Sequence, residues 1–498
     1  MPVFRSPQGI GRGEAAESRL EFPFFAGFMA FCAVVVLAAH ILLANPAVTI
    51  ALAVSMIVFG VTVIRVQYGV AILVVATLLS PEIDLAGEPV GSQAVNIRYN
   101  DLLIGVIFLG VVVKMAFEGR SAFWRSSAIN PAICTYFGIC IISTLLAVRA
   151  NLPAWDRRFA FFVALKMIEF YMIFFLVGNA VRDLRTVRRQ TILFLVVALI
   201  VCVYGIHMIS SVDRVGTPFE AQGSEPNTLG GYLMIVMCVA AGLFTQAPRS
   251  RSKFAFLLVA IMAFIPFLYT LSRASYAALI VAFFALGIMS RKTSILAAVA
   301  LTLILSPILM PENVKDRVNY TFQRGSGEPV VIAGRDLGLQ VDKSTHERLY
   351  VWQKVKFLLS VAPWFGGGLA WEKVLDSQYA RVIMETGLLG LTAFLYLQLQ
   401  LVRTCRQAAR WSTDWFGKGL AFGVTACVIG LIVHSLGTIS FLIIRIMEPF
   451  WFLVALTVVI RACAIEDHTR AVLAERRAAA PTPPQPQPAI PAPASIRG

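Results

Sequence analysis

Two carboxylates and a run of glycines stand out in a polar stretch between apolar segments. Asp376 and Glu385 lie nine positions apart, with Tyr379 between them, where an apolar run begins. A carboxylate at a membrane boundary is costly unless it has a task, and an ionised one can take a proton from a hydroxyl group. Upstream, the glycines 366–368 follow Pro363, a combination that ends a helix and leaves backbone N–H groups free to approach a ligand. The stretch predicts a binding site with a candidate base.

Two arginines lie in short polar segments between other apolar runs. Arg214 belongs to the segment 212–228, in which Asn227 is placed to cap the next helix. Arg273 follows Ser272 where almost no loop separates two apolar runs, which predicts a tight helix–helix turn. A guanidinium group binds phosphate through paired hydrogen bonds. The alternative is that these arginines are solvated at the membrane interface or reach out to lipid phosphates.

The elements that must hold these residues are membrane helices. The chain has 498 residues, of which 58% are hydrophobic and 14% charged, and its mean hydropathy is +0.75. Soluble domains carry about a quarter charged residues, so the composition predicts an all-α polytopic membrane protein with about 12–14 transmembrane helices. The apolar segments lie near 24–43, 47–64, 68–80, 101–117, 131–148, 159–180, 191–210, 228–247, 254–271, 274–290, 294–310, 382–402, 419–443 and 446–461.

The distribution of charge indicates a membrane partner and no nucleic acid. The formal net charge is +15, but the basic residues cluster in alternate loops. With the N-terminus placed in the cytoplasm, this pattern puts both termini in the cytoplasm and the long loop 311–381 outside. The clusters are Arg182, Arg185, Arg188 and Arg189; Arg249, Arg251 and Lys253; Arg291 and Lys292; and Arg403, Arg406, Arg410 and Lys418.

Cysteine usage gives no sign of a disulfide framework or a metal. All eight cysteines fall in predicted spans or at their cytoplasmic ends, so no disulfides are expected in the outer loops. The spacing of Cys and His residues indicates no metal site, and we expect no cofactor. The basic residues Arg5, Arg12 and Arg19 precede an apolar run without a clear cleavage site, so we also expect no cleavable signal peptide.

The expected organisation is two blocks of membrane helices separated by a long outer loop. In this loop Leu349, Trp352, Val355 and Leu358 recur at helical spacing, which predicts an amphipathic helix over 345–361 on the membrane surface. The proline-rich tail cannot bury a core, and we expect it to be disordered. The bounds are 1–21 for a cytoplasmic segment, 22–310 for transmembrane helices 1–11, 311–381 for the loop, 382–461 for helices 12–14 and 462–498 for the cytoplasmic tail.

One charged pair lies inside a predicted span. Lys166 and Glu169 are three positions apart, so they can pair on one face of the sixth apolar segment. Charged residues within membrane spans pair with one another or contact a substrate. The sequence leaves both an internal ion pair and a role in substrate binding open.

The predicted topology places the polar stretches on one side of the membrane. Two arginines and a carboxylate there suit a lipid-linked diphosphate donor. Arg214 and Arg273 would hold the departing diphosphate, and Asp376 would take the proton from an attacking sugar hydroxyl. No nucleotide is available outside the cytoplasm, so the energy has to arrive in the donor. The glycines 366–368 lack the lysine and the preceding strand of a nucleotide-binding loop.

The order of these motifs resembles the O-antigen ligase and polysaccharide polymerase superfamily. The resemblance covers about 210–400, and elsewhere it rests on the number and spacing of the spans. The motif that begins at Glu385 is the most specific one. The matching residues are Arg214 with Gly216 and Pro226-Asn227, Ser272-Arg273, Arg348 with Trp352, Pro363-Trp364-Phe365-Gly366-Gly367-Gly368, Tyr379, and Glu385-Thr386-Gly387-Leu388-Leu389-Gly390.

The resemblance implies a fold and a reaction. The fold would be a GT-C-type glycosyltransferase of the bacterial inner membrane, with a large periplasmic loop over the active cavity. The reaction would be metal-independent transfer of a glycan from undecaprenyl diphosphate. The implied catalytic residues are Asp376, Arg273 and Arg214, and the implied substrate-binding residues are Arg348, Tyr379, Glu385, Asn227, Ser272, Gly366 and Gly368.

Asp376 is a departure from the family pattern, because ligases carry a histidine at this position. The aspartate favours a polymerase of exopolysaccharide or O-antigen repeat units over a ligase that transfers glycan to lipid A-core or to a protein. His346 is an alternative base.

Two other functions are weaker alternatives. A flippase for the same lipid-linked sugars predicts charges along a central path and two related halves, and the sequence shows neither. A scaffolding protein does not explain three polar stretches on one side. The expected partners are the lipid-linked oligosaccharide and membrane lipids, with a chain-length regulator and a flippase as candidates.

Overall fold

The structure is a computed structural model that describes most of the chain. The predicted first span, 24–43, lies outside the described residues, as do the segment 1–21 and the end of the tail, 479–498. The described residues are 46–79, 82–83, 97–117, 126–150, 157–218, 225–309, 328–332, 335–341, 343–371 and 377–478.

Helices dominate the first part of the described chain. Each forms in an apolar run, whose side chains can face lipid or other helices on every side of the helix, as in membrane helices. They are α1 (Pro46–Ile64), α2 (Val66–Leu79), α3 (Tyr99–Phe117), α4 (Ile129–Ala150), α5 (Arg157–Ala180), α6 (Leu184–Met208) and α7 (Pro226–Gln246).

The second part of the described chain continues in the same way. Across the described residues, ten helices are long and apolar enough to cross a membrane, and two apolar helices near the start are shorter. The chain is therefore a multi-pass membrane protein by length and composition. The remaining helices are α8 (Ser250–Tyr269), α9 (Arg273–Ser290), α10 (Thr293–Leu309), α11 (Lys343–Val361), α12 (Gln378–Trp411), α13 (Trp415–His434) and α14 (Ile444–Ala478).

Two short antiparallel strand pairs depart from the predicted all-α fold. Strand β1 (Glu82–Ile83) pairs with β2 (Ile97–Arg98) just before α3. Strand β3 (Glu328–Ile332) pairs with β4 (Arg335–Val341) in the long loop, with a register shift between Pro329 and Val331. Such short strands carry too little periodicity to be predicted from the sequence.

Three helices form the centre of the bundle. In the most apolar stretch of each helix, 89% of the residues are buried in α7, 72% in α13 and 83% in α14. The value for α8 is 22%, so α8 lies at the periphery of the bundle. Helices α7 and α13 pack together so closely that a side chain at Gly242 would not fit. A Cβ atom there would lie 2.5 Å from the Gly419 carbonyl oxygen and from the Gly423 nitrogen. Small residues at such crossings allow helix backbones to approach in membranes.

The two ends of the bundle differ in chemistry. At the end that we call the basic end, Arg188 lies 3.5 Å from Asp414, and Arg461 donates to Gln407 at 3.0 Å. The opposite end, which we call the polar end, contains the turn 270–272 between α8 and α9. The first residues of α3, α7, α12 and α14 lie there, together with the last turn of α13.

The outer-loop helix is confirmed. The prediction gave 345–361, and α11 runs from Lys343 to Val361. Its buried residues Val355 and Leu358 pack against Ile383 and Met384 of α12. The prediction that this apolar face lies on the membrane surface is therefore wrong for Val355 and Leu358, which are buried against α12, whereas Trp352 of the same face is exposed.

The predicted tail and the last block of helices need correction. Helix α14 continues to Ala478, so residues 462–478 are helical and the prediction of disorder is wrong for them. Helix α12 begins at Gln378, not at 382, and reaches Trp411. Charged and small residues that follow an apolar span sustain helix well, so hydropathy alone places such ends too early.

The internal ion pair is confirmed. Lys166 lies 3.0 Å from Glu169 on α5, and its ammonium group also binds Asp101 of α3. Seven described cysteines are free thiols, in accord with the prediction for that part of the chain.

Candidate functional site

Arg214 and the turn that carries Arg273 are held together at the polar end. The Nε group of Arg214 donates to the carbonyl oxygen of Thr270 at 3.2 Å, and Nη2 lies 3.5 Å from that of Leu271. The neighbouring Val215 N–H donates to the Tyr269 carbonyl oxygen at 3.0 Å, so the segment after α6 docks on the turn. A guanidinium group has five N–H donors, so holding the turn is compatible with binding an anion.

The turn itself is tight, as predicted. Helix α8 ends at Tyr269 and α9 begins at Arg273, with Ser272 as its N-cap. Leu271 adopts φ 51°, a left-handed conformation that costs a residue with a Cβ about 1–2 kcal/mol. Surrounding contacts have to hold it, and the arginine contact at its carbonyl is one of them.

A hydrogen-bonded chain of side chains lies beneath this turn. Ser272 Oγ accepts from the Ser275 backbone N–H at 3.3 Å and from the Ser275 hydroxyl at 2.8 Å. Ser275 Oγ lies 2.9 Å from His434 Nε2, and Ser440 Oγ lies 2.8 Å from His434 Nδ1. Both ring nitrogens of His434 therefore have a serine hydroxyl group as a hydrogen-bond partner.

His434 is the residue that the sequence analysis missed. It is fully buried at the end of α13 and is joined to α9 across the bundle. The signal that could have found it is a histidine at the polar end of an apolar span, followed closely by serines 435 and 440. Nothing in the sequence pairs it with Ser275.

The glycines 366–368 do not leave their N–H groups free, and this expectation is wrong. Gly366 donates to the Ala362 carbonyl oxygen, Gly367 to that of Met384 at 2.8 Å and Gly368 to that of Glu385 at 2.9 Å. Gly366 and Gly368 have φ of 65° and 91°, which favour glycine. The glycines close the loop onto α12 instead of cradling a ligand.

Helix α12 is bent where the glycines meet it. Gly387 has φ 64° and ψ −161° inside the helix, so the carbonyl groups before it have no helical partner. Leu388 and Leu389 donate back to the carbonyl oxygens of Pro363 and Trp364, at 2.9 and 3.3 Å. The backbone groups of the loop and those at the bend thus form hydrogen bonds with each other. In a membrane, backbone groups need such partners because lipid provides none.

Glu385 is part of this arrangement. It is buried, and its Oε1 accepts from the Ala370 N–H and from Arg381 Nε, both at 2.8 Å. Ser143 of α4 donates to the Glu385 carbonyl oxygen at 2.5 Å. These contacts give Glu385 a structural role, and its predicted role in substrate binding stays a prediction.

The two other predicted substrate residues near these helices are anchored as well. Tyr379 donates from its hydroxyl to the Ile432 carbonyl oxygen of α13 at 2.8 Å. Asn227 does not cap α7, because Glu225 occupies the N-cap and Pro226 begins the helix. Proline is favoured at the first helical position because it has no N–H group to be capped, which fits a helix that begins two residues earlier than a cap at Asn227 would place it.

The structure does not describe the side chains of two predicted site residues. Asp376 lies in 372–376, outside the described residues, and the side chain of Arg348 in α11 is not described either.

The last turn of α13 joins the two described parts of the site. It meets the arginine turn through His434 and meets the start of α12 through the Ser435 carbonyl oxygen, which accepts from Gln378 N–H at 3.1 Å. Arg214, Ser272 and Arg273 thus share the polar end with Gln378. Such an arrangement can bind an anion next to the start of α12.

Comparison with known proteins adds no assignment. The chain matches no protein-family model and no curated protein.

Proposed function

We propose that the protein is a glycosyltransferase that polymerises oligosaccharide repeat units carried on undecaprenyl diphosphate, for an exopolysaccharide or O-antigen. The observation that supports it best is the convergence of the arginine turn and the start of α12 on the last turn of α13. It supports a shared site, because the Arg214 guanidinium group contacts the turn that directly precedes Arg273.

The roles follow from charge. Arg214 and Arg273 bind the diphosphate and stabilise the negative charge that grows on it as the glycosidic bond breaks. Asp376 accepts the proton of the attacking sugar hydroxyl. Gln378, two residues after Asp376 in the chain, donates its N–H to the last turn of α13, and His434 of that turn contacts α9 just after Arg273. These contacts support the assignment of Asp376 to the same site.

The proposed setting is the bacterial inner membrane. The basic end faces the cytoplasm with both termini, and the polar end with the loop 311–381 faces the periplasm, where lipid-linked repeat units are presented. The positive-inside rule supports this orientation, because the basic clusters of alternate loops lie at one end of the bundle. A flippase would supply the substrate, and a chain-length regulator would act on the product.

The test replaces the arginine at one end of α9 and compares it with the arginine at the other end. Arg273→Ala should lower polymer formation by about 10²–10³-fold, the usual effect of removing a donor to a developing charge. Asp376→Ala should do the same, and repeat-unit lipid should accumulate in both. Arg291→Ala, at the basic end of the same helix, should polymerise normally.

The measurement is elongation of purified lipid-linked oligosaccharide by the purified full-length protein, together with polymer and lipid analysis in cells. Normal polymer from both Arg273→Ala and Asp376→Ala would contradict the site. Transfer to lipid A-core or to a protein, without elongation, would instead show a ligase.

A further inference from the structure

A second polar cluster lies inside the bundle, away from the arginine turn. Asp101 of α3, Glu169 of α5 and Glu448 of α14 each offer a carboxylate oxygen, and these oxygens lie within 4.8 Å of one another. Glu169 and Glu448 are buried, and the Asp101 side chain is 18% exposed. Three carboxylates from three helices at this spacing repel one another strongly unless cations hold them.

Each carboxylate has one oxygen bound by a protein donor. Lys166 binds Asp101 Oδ2 and, at 3.0 Å, Glu169 Oε2. Asn100 donates from Nδ2 to Glu448 Oε1 at 2.6 Å. The Arg98 backbone N–H also donates to Asp101 Oδ2 at 3.1 Å. One oxygen atom of each carboxylate is thus held by hydrogen bonds from the protein.

The other oxygen of each carboxylate is buried and has no donor among the described residues. These atoms are Asp101 Oδ1, Glu169 Oε1 and Glu448 Oε2. A buried charged oxygen without a hydrogen bond is among the most expensive features a protein can carry. A small cavity lies beside Glu448, on the side lined by Thr77 and by apolar residues such as Leu73 and Phe452; Asp101 and Glu169 do not line it.

Two basic side chains act on this cluster. Lys166 contacts Glu169 and Asp101, and the charge of Arg98 acts on Glu448. The three open oxygens are acceptors, so a positive ion with several oxygen ligands suits them.

We propose that Asp101, Glu169 and Glu448 form a binding site for a hard metal cation. Carboxylate oxygens are the preferred ligands of Ca²⁺ and Mg²⁺. Ca²⁺ binds oxygen at about 2.3–2.6 Å, so its ligands lie up to about 5 Å apart, whereas Mg²⁺ at about 2.0–2.1 Å needs a tighter set. Separations of at most 4.8 Å admit Ca²⁺, Mg²⁺ or the Na⁺ ion, which is similar in size to Ca²⁺. The ion would tie α3, α5 and α14 together at the polar end, and it takes no part in the proposed glycan transfer.

The test measures metal bound to the full-length protein in detergent. The purified protein is stripped with a chelator, equilibrated with Ca²⁺, Mg²⁺ or Na⁺ separately, and its metal content and thermal unfolding are determined. We expect about one ion per chain, and a Tm higher by about 3 °C at a concentration one hundred times Kd. The ion with the largest effect identifies the natural ligand.

Charge-neutral variants locate the site. Glu448→Gln and Glu169→Gln should each lose the bound ion and the rise in Tm. Glu385→Gln is the matched control, because Glu385 is another buried carboxylate at the polar end but has its own donors; it should keep the ion.

The proposal is overturned if the stripped wild-type protein binds none of the three ions while remaining folded, or if Glu448→Gln and Glu169→Gln retain the ion. The wild-type measurement decides the question even if a variant does not fold. Because no glycan transfer is measured, the outcome is independent of the proposed polymerase activity.

Discussion

His434 illustrates, at the scale of single residues, how a buried side chain can position a site that it does not contact. Its two nitrogens bind Ser275 of α9 and Ser440 after α13. Ser275 in turn binds the N-cap Ser272, next to Arg273. Loss of the imidazole therefore removes the partner of the Ser440 hydroxyl group and the link between Ser275 and α13, while Ser275 keeps its hydrogen bond to Ser272.

We expect His434→Phe to lower the free energy of unfolding by about 1–3 kcal/mol, the cost of one unpaired buried polar group. His434→Gln keeps a side chain that can both donate and accept, and it should lose less. Thermal unfolding of the purified protein measures both. His207→Phe is the control at an exposed site near the end of α6, and it should change little. Equal stability of His434→Phe and the wild type would contradict the role given to the imidazole.

Gly387 is the second residue for which the structure makes a sharp prediction. Its φ of 64° with ψ −161° is open only to glycine, and a Cβ there would lie 2.5 Å from the Trp364 carbonyl group. Gly387→Ala should cost at least about 3 kcal/mol or prevent folding.

The control for Gly387 is Gly138 in α4, where a Cβ meets no atom within 4 Å. Gly138→Ala should stabilise the helix by about 0.5–1 kcal/mol. Detergent-solubilised yield and Tm report both changes. A stable Gly387→Ala protein would mean that α12 can straighten without the loop.

At the scale of elements, helix α6 depends on a cap. Asp183 Oδ1 accepts from the Thr186 backbone N–H at 2.8 Å, and Oδ2 accepts from the Thr186 hydroxyl at 2.7 Å. Partial burial acts to raise the pKa of Asp183, but these hydrogen bonds outweigh it and lower the pKa below its ordinary value. The ionised form is therefore favoured in the folded protein.

The lowered pKa of Asp183 determines how the stability contribution of the cap depends on pH. Its contribution to stability is complete above the pKa of the unfolded chain, about 3.9, and is lost as the pH falls through the lower folded value. Asp183→Ala should cost about 1 kcal/mol at neutral pH. Asp183→Asn keeps an acceptor and should lose only the acid-sensitive part. Unfolding measured between pH 3 and 7 distinguishes them, and identical pH profiles for Asn and wild type would contradict the argument.

Elements were predictable from the sequence where the signal is local. Most apolar runs from 47–64 onward fall on helices, and the tight turn before Arg273 is present, because hydropathy and turn length act over a few residues. The predicted run 419–443 is too long, because α13 ends at His434 and the residues up to 443 form turns. The site was less predictable. That Gly368 binds Glu385, or that His434 binds Ser275, depends on contacts between distant segments. No periodicity encodes such pairings.

At the scale of the whole molecule, the orientation in the membrane can be tested with single cysteines. Ser211 is exposed at the polar end and Ser294 is exposed at the basic end. In a chain whose native cysteines are replaced by alanine, a membrane-impermeant thiol reagent added from the periplasmic side should label Ser211→Cys. It should label Ser294→Cys only after the membrane is opened. The reverse pattern would invert the topology and remove the site from the periplasm.

The bend of α12 also constrains how the protein is made. Residues 363–368 precede α12 in the chain, so they leave the ribosome first. They carry the groups that pair with the backbone on both sides of Gly387, and bare backbone groups cost several kcal/mol in hydrocarbon. This segment therefore has to be available to the bend when α12 enters the bilayer. Insertion in the order of the chain meets this requirement. If the segment 363–368 arrived after α12, the backbone groups at the bend would be in the bilayer without hydrogen-bond partners.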